Sequence, residues 1–148
     1  MQELFVRADI TIKAPAVKVW DALVNPAVTR QYMFGCDVVS DWKIGSPVLW
    51  KGVANGKEVT FVKGYLLKLE PEKLLQYTTI DPNSDIEDIP ANYLTVTYEL
   101  KSSGNQTELH VSQGDYSKVA QGQKRYEDTK NGGWDMILSK IKEIVEQN

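Results

Sequence analysis

The C-terminal segment most constrains what this chain can fold into. Trp134, Leu138, Ile141 and Val145 recur at intervals of four, three and four, and Ile137 and Ile144 widen the stripe into a face that requires burial. Lys140, Lys142, Glu143 and Glu146 take the other side. Residues 34–115, by contrast, read as strands and turns. An antiparallel sheet cannot bury both of its faces by itself, and one amphipathic helix laid across it covers one of them. The expected product is therefore a curved sheet wrapped around the last helix.

The strands follow from local pattern. Residues 4–13 are β-rich and partly alternating, a first strand. Pro15 and Asn25-Pro26 then mark two helix starts, because proline's missing N–H is unpaired in a first turn anyway and asparagine is a good N-cap. Short helices are expected over 15–24, where Val19, Trp20 and Leu23 fall at helical spacing, and from 26 to about 32. Strands follow at 36–40, 48–53, 57–69, 74–80, 93–100 and 107–113. Asn55-Gly56 joins the second and third of these, the strongest short hairpin signal, since both central residues of a type I′ turn need φ > 0. Ser103-Gly104-Asn105 marks another hairpin. Six or seven strands with short turns imply an antiparallel meander. From about 117 to 146 the period is helical, interrupted by Gly132-Gly133. Either a loop ends there and a shorter helix begins, or one long helix carries glycines that let something approach closely. The fold class is α+β, and residues 1–148 are expected to form a single domain.

Composition excludes several function classes. Seventeen Lys+Arg against twenty Asp+Glu give −3, with no basic stripe, so nucleic-acid binding is not expected. One cysteine forbids an intrachain disulfide, and one histidine beside it leaves too few ligands for a zinc site. The opening residues lack the basic and apolar regions of a signal peptide, and no apolar run approaches the roughly 20 residues of a membrane span. A cytoplasmic protein without membrane insertion is expected. Asp81-Pro82-Asn83-Ser84-Asp85 resembles the start of a calcium loop, but Ile86 stands where glycine is required and Asn92 where glutamate is. Asp81, Asp85, Glu87 and Asp88 are read as a solvated acidic loop that would repel anionic ligands if it lay over a cavity mouth.

The order of elements resembles the START-like superfamily, the helix-grip fold of the birch-pollen allergen, and within it the C-terminal-domain type of the activator of heat-shock-protein ATPase. Ala14-Pro15 through Val19-Trp20-Asp21-Ala22-Leu23 is similar to that family's opening helix. Asp41-Trp42-Lys43-Ile44-Gly45 is similar to its W-x-x-G strand start. Residues 64–74 (GYLLKLEPEKL) resemble its strand-turn-strand, and Gly133-Trp134-Asp135-Met136-Ile137-Leu138 its last helix. The resemblance implies a deep, mostly apolar cavity between sheet and last helix, and no shared catalytic residues. Members bind lipids, sterols, polyketides or phenolics, and some catalyse cyclisation or dehydration. Co-chaperone members carry a further N-terminal domain; with 148 residues read as one domain, none is expected here, and a co-chaperone role is therefore not the expected one.

Within that frame the aromatics are the remaining signal. Trp20, Phe34, Trp50, Tyr77, Tyr98, Tyr126 and Trp134 serve as plain core or as cavity wall, and an inward Tyr or Trp brings a polar tip that needs a partner. The candidate cavity residues are Trp50, Tyr77, Tyr98, Tyr126, Lys130 and Trp134. Lys130, one turn before Trp134, would pair with an acidic ligand group. His110 is read as a sheet-surface residue, and Cys36 as a buried inert thiol, for want of any Cys/His constellation. The expected function is binding of a small hydrophobic molecule, with no cofactor, no metal and no catalytic residues. The alternatives are an enzyme using the same cavity and a chaperone-binding interaction module.

Overall fold

The structure is a computed structural model, and it describes residues 2–147. Strand β1 (Val6–Ile12) leads into helices α1 (Ala16–Val24) and α2 (Pro26–Tyr32). Pro26 is the first residue of α2, and the Asn25 side chain caps it by accepting from Ala27 N at 3.0 Å. The Tyr32 hydroxyl donates to the Ala22 carbonyl at 2.6 Å and fixes the two helices as one unit.

Six further strands follow: β2 (Asp37–Ser40), β3 (Pro47–Ala54), β4 (Lys57–Glu70), β5 (Leu74–Thr79), β6 (Leu94–Ser103) and β7 (Gln106–Gly114). They form one antiparallel sheet in the order β1-β7-β6-β5-β4-β3-β2, a meander whose last strand closes on the first. Asn55 and Gly56 take φ of 53° and 77°, as a type I′ turn between β3 and β4 requires. Alternation sends Leu75, Tyr77 and Thr79 inward from β5, Leu94, Val96, Tyr98 and Leu100 from β6, and Leu109 and Val111 from β7. His110 lies on the opposite face, between the Asp9 and Glu108 carboxylates.

Strand β4 is irregular, and this bends the sheet. Between Trp50 and Lys51 of β3 the register skips Phe61, and between Leu66 and Lys68 it skips Leu67 as β4 pairs with β5. Such bulges bend the strand and re-aim side chains. At Gly64 the strands approach so closely that a Cβ would stand 1.6 Å from the Thr78 carbonyl oxygen.

After β7 a short 3-10 turn (Tyr116–Lys118) precedes α3 (Gly122–Lys130) and α4 (Gly133–Glu146). The helical C-terminal span is therefore broken rather than continuous: Gly132 adopts φ 85° between the two helices, a conformation that costs glycine nothing. Helix α4, roughly 21 Å long at 1.5 Å per residue, buries Trp134, Ile137, Leu138, Ile141, Ile144 and Val145 against the sheet. This is an α+β helix-grip fold. No helix among the described residues is long and apolar enough to cross a membrane.

Candidate ligand-binding cavity

Four rings run from β3 to α4 across the inner face of the sheet. Trp50 and Tyr77 have centroids 6.2 Å apart, Tyr77 and Tyr98 6.5 Å, and Tyr98 and Trp134 5.8 Å with an edge-on interplanar angle of 85°. The Trp134 indole N–H donates to Gln113 Oε1 at 2.9 Å, and Gln113 Nε2 reaches Thr79 Oγ1 at 3.5 Å. One helix residue is thus tied to two strands. Burial holds the Tyr77 phenol well above its ordinary range, an effect the adjacent Tyr98 hydroxyl partly opposes. Burial raises Tyr98 as well, so both phenols are neutral at physiological pH and this row of rings carries no charge.

In front of these rings lies a cavity of about 680 Å³, within the range of small-molecule sites. Val62, Ile80, Leu94, Val96 and Ile137 supply apolar wall, with Trp50, Tyr77 and Trp134. Its rim includes Phe61, the bulge residue of β4, and Phe34. Phe34, counted with the inward aromatics on sequence grounds, is instead 75% exposed and takes φ 53° just beyond α2. At the α3 end the lining turns polar, with Tyr116, Arg125, Asp128 and Thr129 opposite Asp81.

Of the six residues expected from the sequence, Trp50, Tyr77 and Trp134 line the cavity. Tyr98 is fully buried behind Tyr77 and Trp134 and supports them. Tyr126 packs edge-on against Tyr116 at 5.7 Å, with the Lys130 ammonium 5.4 Å from the Tyr126 ring centroid. Lys130 is held by Glu127 at 2.8 Å, so neither it nor Tyr126 reaches the cavity. The cation that lines it is Arg125.

Sequence reasoning missed Gln113, Thr79, Tyr116, Arg125 and Thr129. The first two were readable: Gln113 continues the inward series Leu109, Val111, and Thr79 continues Leu75, Tyr77. For the α3 residues there was no such signal, because the break at Gly132 resets the helical phase.

Cys36 also borders the cavity, and burial pushes its thiol up, with the Asp37 carboxylate adding to the effect. A raised thiol pKa leaves less thiolate at a given pH. Labelling by a disulfide reagent at pH 8 is expected to be about tenfold or more slower in the folded chain than in guanidinium. Equal rates would show an open, ordinary thiol. No group of three or more His, Cys, Asp or Glu among the described residues could hold a metal ion.

The model of a protein family described as "Activator of Hsp90 ATPase homolog 1-like protein" matches residues 13–146. No match was found among curated proteins. Among solved structures, a Cytophaga hutchinsonii protein is 37% identical, with 99% of this chain and 97% of that one covered and a TM-score of 0.75. A protein of the dynemicin biosynthetic locus is 16% identical, with 98% and 48% covered and a TM-score of 0.72. An HSP90 activator from Plasmodium falciparum is 16% identical, with 97% and 96% covered and a TM-score of 0.69. The last two likenesses concern the fold alone.

Proposed function

The chain belongs to the Activator of Hsp90 ATPase homolog 1-like family, and we propose that it binds a small hydrophobic molecule between its sheet and its two C-terminal helices. The whole chain acts in this reading as one START-like domain built around that site. The observation that carries it is the cavity of about 680 Å³, walled mainly by apolar and aromatic side chains in a molecule small enough to have closed over it. Trp50, Tyr77 and Trp134 form its walls, and Tyr98 holds two of them in place.

A panel of sterols, flavonoids, aromatic polyketides and fatty acids is expected to contain at least one stabiliser. At a hundredfold excess over Kd, a ligand of the folded state adds about 2.7 kcal/mol, which is roughly 5–10 °C in Tm for a domain of this size. If no member moves the Tm, the cavity reading fails. The family name supplies a second reading, action on a chaperone ATPase. Its test is whether the ligand-free chain raises the ATP turnover of Hsp90.

A further inference from the structure

We infer that Phe34 is a ligand contact: its ring covers the apolar outer end of the cavity's occupant and slows its escape. The inference rests on the cavity reading above and names the residue that holds the guest at the rim.

Phe34 does nothing evident for the ligand-free fold. It stands two residues past the end of α2 and takes φ 53°, followed by Gly35 at φ 82°. Gly35 N donates to the Arg30 carbonyl at 3.1 Å and Cys36 N to the Met33 carbonyl at 2.9 Å, which closes the helix end. The left-handed residue in such an ending is usually glycine, sometimes asparagine. A bulky side chain adopts that conformation at a cost. Burial of the ring could offset the cost, but Phe34 is exposed, and no large hydrophobic residue among the described residues is more so. The position therefore combines an unfavourable backbone with an unburied ring.

Its neighbours along the chain are accounted for by the fold. Tyr32, two residues before, is buried and bonded to α1, and Cys36, two residues after, is buried beside β3. A Cβ built on Gly52 of β3 would stand 3.1 Å from the Phe61 ring and 3.3 Å from Cys36 Sγ, so Phe61 has a seat on that strand. Phe34 has left the core, yet it lines the cavity together with Met33 and Phe61. What the free chain lacks, an occupied cavity supplies. An apolar guest reaching this lip would take part of the Phe34 ring out of water, a gain realised only in the complex. The contact lies where the guest must leave, so its effect falls on dissociation.

The test uses N-phenyl-1-naphthylamine, an uncharged probe whose fluorescence rises when it leaves water, in equilibrium titration and stopped-flow dissociation. Phe34→Gly and Phe34→Asn both suit the left-handed backbone and both remove the ring. In each, the urea midpoint of the ligand-free chain should stay level or rise, while the probe dissociates about tenfold faster, as the loss of partial burial of a phenyl ring implies. Phe34→Tyr keeps the ring and should return dissociation close to the parent rate. A parent-like rate in the Gly and Asn variants would overturn the inference and leave Phe34 as an outward contact for another macromolecule. The cavity reading would survive that result if Gly133→Leu, which fills the cavity from α4, still abolished probe binding. A lowered urea midpoint or a lost fold in the Gly and Asn variants would show the ring packed in the free protein, and would also overturn the inference. No binding of the probe to the parent chain would overturn both readings.

Discussion

Trp134→Ala is expected to destabilise the fold by about 3–5 kcal/mol in denaturant unfolding, the range for deleting a buried aromatic ring. The ring is 7% exposed, its indole N–H is bonded to Gln113, and it packs edge-on with Tyr98. Removing it leaves Gln113 Oε1 without its donor and frees the first turn of α4 from β7. One side of the ring borders the cavity, where it has no packing partner to lose. That places the expected value toward the lower end of the range. A loss below about 1 kcal/mol, by contrast with the cost of emptying a packed site, would mean that α4 is not pinned to the sheet through this residue.

That pinning was readable in advance, and the reasons separate what the sequence discloses from what it withholds. The stripe from Trp134 to Val145 is a period that only burial against a large apolar surface explains. Asn55-Gly56 and Asn25-Pro26 carry their backbone requirements in their own chemistry, and the structure places them in a hairpin turn and at a helix start. Inward positions on β5 and β7 follow from alternation.

The α3 side of the cavity is different. Counting back from Trp134 along one helical face leads to Lys130 and Tyr126. Gly132, at φ 85°, rotates α3 out of that phase, so those two residues face each other and Glu127, while Arg125 and Thr129 turn toward the cavity and Asp128 stays at its exposed edge. A residue that can adopt either sign of φ destroys the phase relation between the helices it joins, and nothing in the flanking residues restores it. The place of Phe61 on the cavity and the exposure of Phe34 were hidden for related reasons. A bulge inverts the alternation locally, and two successive left-handed residues, Phe34 and Gly35, re-aim the chain after α2.

Gly133→Leu should abolish ligand-induced stabilisation while leaving the protein folded. The two adjacent glycines are not equivalent. Gly132 needs its positive φ, so a side chain there would strain the backbone. Gly133 is the first residue of α4 and has no such requirement. A Cβ built on it meets no atom within 4 Å, and the residue lines the cavity. A leucine there would project into empty space, so no packed neighbour has to move, and leucine has the better helix propensity. Unfolding free energy should therefore change by less than about 1 kcal/mol. The added isobutyl group would stand beside Trp134, where an apolar ligand body would rest. A ligand that stabilises the parent chain by about 2.7 kcal/mol at a hundredfold excess over Kd should give less than a quarter of that shift in the variant at the same concentration. Both quantities come from paired denaturation curves with and without ligand. An unchanged shift in a folded variant would place the ligand elsewhere on the molecule. A variant that fails to fold would show that the space beside Gly133 is filled in solution, and the cavity would then be too small for the occupant proposed for it.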